Sequence, residues 1–275
     1  MIPDTGIKYL FSTILRNNRL CYFEAYILNA INNNYVVTSF IDFLEDEKKY
    51  SGRKVLILRH DVDISPAYAR RMYEIEKKIG VKSTYYFRWS TFDYEFIQEL
   101  NQNGYEVGFH YETIASYCEE KGITHVDGNI LKECRQRLKD EIAEFNKKAN
   151  LKIKTIASHG HPKNILLKVS NNVLLSDRDY EAFGITSEAY DEVFYRNCVQ
   201  SHIADCDILT NYGFIYDTNP MREISAGKTV IVFSAHPVHW YYEPKKQLIN
   251  LIRLILGKYT TAPNKEFIRI AGNSL

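Results

Sequence analysis

The segment Leu56–Asp63, LILRHDVD, places two acidic side chains directly after an apolar stretch. Apolar runs of this length that are rich in β-branched residues are typical of buried strands. Side chains alternate between the two faces of a strand, so Asp61 and Asp63 should point the same way. Two neighbouring carboxylates at the end of a buried strand repel each other unless a cation or a shared proton compensates. The pattern therefore predicts a metal site at the carboxyl end of this strand.

Histidines occupy the ends of two later segments that also read as strands. His110 follows VGF in YEVGFHYE, and Glu112 lies on the same face two residues later. His159 and His161 lie in SHGHP, and at least one of them is predicted to be a ligand. We favour His159 because it is nearer to the strand. Imidazole and carboxylate groups together form a donor set that suits zinc. Glu112 is a candidate for a further ligand or for a hydrogen-bond acceptor that orients a ligand histidine.

The most apolar predicted strand, in KTVIVFSAHPVHW, ends at His236 and His239. An imidazole titrates near neutral pH, so His236 is a candidate general acid and His239 a residue that supports it. Trp89 and Trp240 also lie at strand ends. Their rings are candidates for stacking on a sugar, although packing is the favoured role. His60 points to the opposite face from the acidic pair and is predicted to be structural.

Strands and helices alternate along the chain, and several helices end at a glycine. Ser65 and Pro66 are typical of a helix start, and Gly80 is typical of a helix end. Such alternation implies parallel βαβ units, in which functional residues gather at the carboxyl ends of the strands. The predicted strands are Leu56–Asp63, Val81–Trp89, Tyr105–Glu112, Leu151–Pro162, Phe214–Asn219 and Lys228–Trp240, with a weak one at Val173–Ser176.

Length and composition favour one α/β barrel-like domain or two small domains, because 275 residues that are 45% hydrophobic can bury a large core. A net charge of +1 argues against a nucleic-acid binder, since it leaves no basic surplus to neutralise phosphates. We expect residues 1–50 to be an N-terminal, largely helical extension that packs on the barrel. Residues 51–275 are expected to form the barrel domain.

The location predicted from the sequence is the cytoplasm. The five cysteines are widely spaced without a CxxC pair, which favours a reducing compartment over a disulfide framework. The first residues, MIPDTGIKYLF, lack the features of a signal peptide. The apolar segments Leu20–Ile31 and Leu248–Leu256 are too short and polar to span a bilayer, so no membrane span is predicted. The second segment is compatible with a homo-oligomer interface or with burial on the barrel.

In the order of these motifs the chain resembles a divergent branch of the polysaccharide deacetylase superfamily, the NodB-like carbohydrate esterases. RHDVD resembles the first motif of that family, NGYEVGFHYE the second, FIYDTN a later Tyr-Asp strand and VFSAHPVHW the last. The resemblance implies a distorted (β/α)7 barrel that holds a divalent metal, usually Zn2+, and removes acetyl groups from sugars. It also implies these roles: Asp61 as general base, Asp63 and His110 as metal ligands, Asp217 beside the site and His236 as general acid.

Two positions depart from the family pattern. The second motif of the family has another ligand histidine four residues after the first, and Ile114 stands there in this chain. The third motif, Arg-x-Pro-Tyr, is replaced by SHGHP. We infer that a histidine of SHGHP, with His159 favoured over His161, replaces the missing ligand. Arg59 is expected to lower the pKa of Asp61, because a nearby cation stabilises a carboxylate.

The predicted function is metal-dependent hydrolysis of an acetamido or ester group on a carbohydrate, in surface polysaccharide or sugar-precursor metabolism. Phosphoester hydrolysis is a weaker alternative, because no Gly-rich phosphate loop or Arg/Lys cluster follows any predicted strand. A third hypothesis is a catalytically silent barrel that serves as a carbohydrate-binding or assembly protein. The isoleucine at position 114 motivates it.

Overall fold

The strand predicted before Asp61 lies in the middle of a parallel sheet. The computed structural model of the chain describes residues 19–205, 220–241 and 243. In it, β2 (Lys54–Val62) pairs along one edge with β8 (Val230–Ala235). Its other edge pairs first with β1 (Tyr35–Thr38) and then, nearer the carboxyl end, with β3 (Thr84–Phe87). The acidic motif therefore has a neighbouring strand on each side.

The remaining strands extend this sheet in both directions. They are β4 (Glu106–Tyr111), β5 (Thr155–Ser158), β6 (Ser187–Glu188) and β7 (Ser201–Ala204). The order β6-β5-β4-β3-β2-β8-β7 gives a path of seven parallel strands, with β1 off the path against β2. The sheet curls, helices flank it, and the predicted distorted (β/α)7 barrel is confirmed. All carboxyl ends of a parallel sheet lie at one edge, so the predicted site residues are brought to one end of the barrel.

Helices precede the first strand, lie between later strands and follow the last one. They are α1 (Leu20–Asn32), α2 (Phe40–Glu45), α3 (Glu47–Tyr50), α4 (Pro66–Ile79), α5 (Tyr94–Gln102), α6 (Thr113–Glu120), α7 (Gly128–Ala149), α8 (Pro162–Leu167), α9 (Glu192–Cys198), α10 (Pro220–Ser225) and α11 (Pro237–Trp240). The helix start predicted at Pro66 is confirmed, and Gly80 ends that helix with a φ of 85°. Among the described residues, none of these helices is both long and apolar enough to cross a membrane.

The side chains of β2 alternate between two hydrophobic cores, a barrel core on one face of the sheet and an outer core on the other. Val55 and Ile57 pack with Tyr86 and Val232 on one face of the sheet. The intervening residues of β2 pack against α1 on the other face, where Phe23 is fully buried. Arg59 and Asp61 follow Val55 and Ile57 on the same face of β2. The candidate site therefore lies at the end of the barrel core.

Three parts of the predicted secondary structure differ from the structure or lie outside it. The strand predicted at Val173–Ser176 is wrong, because that segment lies in a 3-10 turn over Asn171–Leu175. Its short apolar run packs two buried leucines into the core, and a run of that length carries no clear period. The short strands β6 and β7 were not predicted. The strand Phe214–Asn219 and the apolar segment Leu248–Leu256 lie outside the described residues.

The N-terminal region contributes to both the outer core and the sheet. Phe23 and Ile27 of α1 are buried in the same cluster as Leu56 and Phe233. The strand β1 pairs with β2 over four residues. The division of the chain into residues 1–50 and 51–275 stays a prediction.

Candidate active site

The carboxyl ends of four strands bring together the residues predicted for chemistry. These are Asp61 and Asp63 from β2, His110 from β4, His159 after β5 and His236 after β8. In β4 and β5, His110 is paired with Ala157, which puts His159 two residues further along the same face. The sheet register therefore sets the spacing of side chains that lie far apart in the sequence.

Asp63, His110 and His159 form a cluster with the geometry of a metal site. Oδ1 of Asp63 lies 3.2 Å from Nε2 of His110 and 3.6 Å from Nε2 of His159. One donor atom from each residue lies within 4.8 Å of the other two. Three donors of this kind match a catalytic zinc site, which keeps a further position for water or substrate.

The hydrogen bonds of the two histidines leave their Nε2 lone pairs directed at this cluster. Nδ1 of His110 lies 3.0 Å from the carbonyl oxygen of Ala157. Nδ1 of His159 lies 3.0 Å from Oε2 of Glu112. A carbonyl and a carboxylate only accept, so each Nδ1 carries the hydrogen and each neutral ring presents a bare Nε2. Metal-binding histidines are oriented in this way by their second nitrogen.

His161 has the opposite arrangement. The backbone N–H of Lys163 donates to Nδ1 of His161 over 3.1 Å, so this nitrogen carries the lone pair and Nε2 carries the hydrogen in the neutral ring. His161 thereby caps the first turn of α8, with Asn164 completing the capping box. The geometry favours His159 as the ligand from SHGHP. At the family's other ligand position, Ile114 is fully buried in the core.

Oδ1 of Asp63 is the atom that indicates a cation. Among the described residues it is buried without a hydrogen-bond donor, although it faces the two histidines. Burial alone would raise the pKa of Asp63, but the adjacent imidazole of His110, and then those of His159 and His236, hold that pKa well below its usual value. Burial lowers the pKa of His159, and Glu112 offsets only part of this effect. A divalent cation requires an ionised carboxylate and unprotonated imidazole nitrogens, and the lowered pKa values of Asp63 and His159 favour both.

Asp61 lies beside the cluster and is held by its own partners. Oδ2 of Asp61 accepts from Nη2 of Arg59 at 2.7 Å and from the hydroxyl of Tyr190 at 3.3 Å. Oδ1 is buried, and the described part of the chain provides no donor to it. Burial alone would raise the pKa of Asp61, but the guanidinium of Arg59 and then the nearby histidines lower it. Asp61 is therefore an anion with one free oxygen that is able to take a proton.

The guanidinium of Arg59 is itself fixed. Nη1 donates to the carbonyl oxygen of Ala189 at 3.1 Å, and the guanidinium carbon lies 4.1 Å from the centroid of the Tyr190 ring. The side chain is 1% exposed. Tyr190 is positioned in turn by Glu188, whose Oε2 accepts from the Tyr190 backbone N–H at 2.6 Å. Burial raises the pKa of Tyr190 well above its usual value, so its hydroxyl stays a donor to Asp61.

His236 is held by a carboxylate that was not predicted from the sequence. Asp205 follows β7, is fully buried and accepts from Nδ1 of His236 through Oδ1. Its Oδ2 accepts from the backbone N–H of His236 at 2.8 Å and from Nε1 of Trp240 at 2.6 Å. His239 lies next to this pair, with Nδ1 3.3 Å from Oδ1 of Asp205. The arrangement turns Nε2 of His236 toward the carboxylates of β2.

Opposing effects set the protonation of His236. Burial alone would lower its pKa, but the negative charges of Asp205, Asp63 and Asp61 outweigh burial and raise the pKa to about 10. His236 is therefore protonated at neutral pH, with Nε2–H 3.8 Å from the nearest oxygens of Asp61 and Asp63. A protonated imidazole beside an ionised carboxylate provides an acid and a base at one site.

Two of the remaining predicted positions, Trp240 and Trp89, have packing contacts, and a third lies outside the described residues. Trp240 is 1% exposed and donates to Asp205, so it supports that carboxylate and offers no face to a sugar. Trp89 packs against Phe109 at 5.3 Å between ring centroids, and the ammonium of Lys148 lies 4.8 Å from its ring. These contacts favour packing over sugar stacking. Asp217 lies outside the described residues.

The residues missed at the sequence level act by holding others in place. Asp205 and Tyr190 follow the two short strands that were not predicted. Asn171 donates to the carbonyl oxygen of His159 at 2.8 Å and accepts from the backbone N–H of Ile114 at 2.9 Å, fixing the SHGHP loop. Arg88, at the end of β3, contacts both Asp63 and Glu112. The sequence signal that could have identified Arg88 is a charged residue directly after an apolar strand.

No protein-family model matches the sequence, and no curated protein matches it. Solved structures do match. The catalytic domain of peptidoglycan N-acetylglucosamine deacetylase from Eubacterium rectale is 14% identical, with a TM-score of 0.44 over 76% of this chain and 87% of that one. IcaB from Ammonifex degensii is 16% identical, with a TM-score of 0.43 over 60% and 76%. BA3943 from Bacillus anthracis, described as a CE4 family pseudoenzyme, is 16% identical, with a TM-score of 0.36 over 76% and 63%.

These TM-scores are all below 0.5. The roles proposed for the site residues therefore rest on the geometry of this chain and on the order of its sequence motifs.

Proposed function

We propose that the chain is a metal-dependent carbohydrate deacetylase that hydrolyses an acetamido or acetyl ester group on a sugar. The observation that carries the proposal is the convergence of two Nε2 lone pairs, from His110 and His159, on the unpartnered Oδ1 of Asp63. A base, Asp61, and an acid, His236, lie beside this cluster. Few structural roles would bring two carboxylates and three imidazoles together in this geometry.

Asp63, His110 and His159 would hold the cation, and Zn2+ suits their nitrogen and oxygen donors best. When bound, a cation of this kind polarises a carbonyl oxygen and lowers the pKa of water toward neutrality. The donor set has one formal negative charge, so a divalent ion would keep a net positive charge at the site. That charge favours the oxyanion that develops when an acetyl carbonyl is attacked.

Asp61 would act as the general base. Its Oδ2 is engaged by Arg59 and Tyr190, so the proton of the attacking water would go to the unpartnered Oδ1. Arg59 keeps this buried carboxylate ionised. The water oxygen forms the new bond to the acetyl carbon while its proton moves to Asp61.

His236 would act as the general acid. Nε2–H faces the site, and Nδ1–H is bound to Asp205. As the bond between the acetyl carbon and the sugar nitrogen or oxygen breaks, His236 would donate its Nε2 proton to the leaving atom. The products are acetate and a free amine or hydroxyl on the sugar. Asp205 favours the protonated form of His236 before the reaction.

The identity of the sugar and its pathway are inferred from the sequence and not from the geometry of the site. The family resemblance and the cytoplasmic location predicted from the sequence together suggest a sugar precursor, such as a nucleotide-linked or lipid-linked sugar for surface polysaccharide.

The alternative is a protein with the same fold and no catalytic activity. Ile114 at a ligand position motivates a silent barrel that binds carbohydrate, and the His159 geometry argues against it.

Acetate release tests the proposal. The wild-type protein, stripped of metal and reloaded with Zn2+, is offered a panel of N-acetylated and O-acetylated mono- and oligosaccharides. We expect acetate from at least one substrate only after reloading, and a rate lower by about 10²–10⁴-fold in Asp61→Asn. Asp177→Asn removes an exposed carboxylate that pairs with Arg135, and it should match wild type.

The other outcomes separate the alternatives. Sugar binding without acetate release in the Zn2+-loaded protein would support the silent barrel and contradict the proposal. Phosphate release from sugar phosphates without acetate release would indicate a phosphoesterase.

A further inference from the structure

Arg88 lies between two parts of the candidate metal centre. It follows β3 directly, and its side chain is 11% exposed. Nη1 donates to the backbone carbonyl oxygen of Asp63 at 3.1 Å, and Nη2 donates to Oε2 of Glu112 at 2.7 Å. One guanidinium therefore ties the carboxyl ends of β2, β3 and β4 to each other.

The connection continues to a second metal-site residue through the same oxygen of Glu112. Oε2 accepts from Arg88 and also from Nδ1–H of His159, at 3.0 Å. The main chain of Asp63 and the imidazole of His159 are thus joined through two side chains. Both residues belong to the proposed metal site.

We propose that Arg88 is a positioning residue for a divalent cation at this site, acting on Asp63 directly and on His159 through Glu112. This inference rests on the proposed metal-dependent function. Arg88 fixes the main chain that carries one ligand and the carboxylate that orients another. The donor atoms are then already placed when the cation arrives, and less ordering is required on binding.

Arg88 also decides what Glu112 does. Its guanidinium occupies the carboxylate oxygen that faces His159, so Glu112 orients an imidazole and does not itself bind the cation. Without Arg88, Glu112 would be a partly buried anion with no cation to hold it against Nδ1 of His159, and the ligand imidazole would be less well oriented.

The two acceptors explain why arginine stands at this position. Its planar fork presents donors on two nitrogens in a fixed geometry, whereas lysine offers one point of charge on a flexible stem. Lysine would keep the charge beside Glu112 but would not span both the Asp63 carbonyl and the Glu112 carboxylate. The structure therefore predicts an order of affinities, with wild type above Arg88→Lys and Arg88→Lys above Arg88→Met.

In the test, metal-free protein is titrated with Zn2+ in a calorimeter to measure the binding affinity. The thermal unfolding of each apoprotein is measured as well. Arg88→Met should weaken Zn2+ binding by about 10–100-fold, the loss typical of residues that orient metal ligands. The matched control is Arg70→Met, which removes another arginine that pairs with a glutamate, Glu99, away from the site. It should bind Zn2+ as wild type does.

A double-mutant cycle separates positioning from general loss of structure. Glu112→Gln should weaken binding as well, and adding Arg88→Met to it should cost less than in wild type, because the part of the Arg88 effect that passes through Glu112 to His159 is already lost. If Arg88→Met does not fold, Arg88→Lys replaces it in the titration, and weaker binding than wild type is expected.

Two results would overturn the inference. Wild-type affinity in every folded Arg88 variant would show an ion pair with no role in metal binding. Full additivity with Glu112→Gln would show that Arg88 does not act through Glu112. A wild-type protein that takes up no Zn2+ would overturn the proposed function as well, so the two failures are distinguishable.

Discussion

Nε2 of His236 lies 3.8 Å from Oδ2 of Asp61, although the two residues are 175 positions apart in the chain. The relationship follows from sheet register, because β2 and β8 are neighbours in which Arg59 pairs with Ser234 and His60 pairs with Ala235. An acid and a base therefore end adjacent strands at the same level. The cluster of Asp63, His110 and His159 lies next to them, on the side of β4 and β5.

The pH dependence of turnover should depend on Asp205. Burial would lower the pKa of His236, and the three nearby carboxylates, Asp205 first, raise it instead. An acid must be protonated, so kcat should fall as pH rises through the pKa of His236. Asp205→Asn removes one of these charges, and the alkaline limb should move to lower pH. At neutral pH we expect kcat to drop by about 10²–10⁴-fold.

The measurement is kcat against pH at a fixed, saturating Zn2+ concentration for wild type and Asp205→Asn. Zn2+ affinity serves as the control and should change little, because Asp205 does not touch the donor cluster. An alkaline limb at the same pH in both proteins would show that Asp205 does not tune His236.

Arg59 and Asp61 should be energetically coupled. Arg59→Met leaves a buried carboxylate without its cation, which typically costs about 3–5 kcal/mol of unfolding free energy. The pKa of Asp61 is lowered in the folded state. The contribution of the pair is therefore present above the unfolded pKa of about 3.9 and is lost as pH falls below it.

Urea unfolding at pH 7 of wild type, the two single variants and the double variant tests this coupling. Adding Asp61→Asn to Arg59→Met should recover part of the loss, because the unpaired charge is removed. Simple additivity of the two losses would mean that the 2.7 Å contact carries little energy.

His159 and His161 should differ in what they contribute. His159→Ala should abolish tight Zn2+ binding, because the Nε2 of His159 lies 3.6 Å from Asp63 Oδ1. His161→Ala should bind Zn2+ nearly as wild type does and lose about 0.5–2 kcal/mol of stability, the usual cost of removing a helix cap. Titration and thermal unfolding of the two variants give the comparison. Loss of Zn2+ binding in His161→Ala alone would reverse the assignment.

Gly108 makes room for the barrel core beneath the site. A Cβ atom there would lie 2.4 Å from the ring of Tyr86 and 2.6 Å from the carbonyl oxygen of Thr155. The tyrosine is fully buried, so Gly108→Ala should cost about 1–3 kcal/mol or more. Gly160→Ala is the matched control, because a Cβ there meets no atom within 4 Å. It should stay within about 0.5 kcal/mol of wild type. Equal unfolding midpoints in urea would refute the packing argument.

Much of this architecture is predictable because its signals are local. The apolar run before Asp61 and the glycine after α4 predict elements that the structure contains. The role of Asp205 depends on a contact between residues that are distant in sequence. It follows a four-residue strand whose sequence, SHIA, has little periodicity, and its contact with His236 exists only because β7 pairs with β8. The motif resemblance directed attention to Asp217 instead.

The preference for His159 over His161 also depends on three-dimensional contacts. The two residues have the same type and nearly the same position in sequence. They differ in the partner of Nδ1, a carboxylate acceptor for His159 and a backbone donor for His161. Those partners come from different elements, and so no property of SHGHP alone distinguishes the two rings.

The most direct test of the account is the metal content of protein purified without added metal, compared among wild type, Asp63→Ala and His110→Ala. We expect about one zinc-like ion per wild-type chain, or uptake of about one on titration, and near-complete loss in both variants. Wild-type protein that contains no metal and takes up none would refute the metal-dependent mechanism.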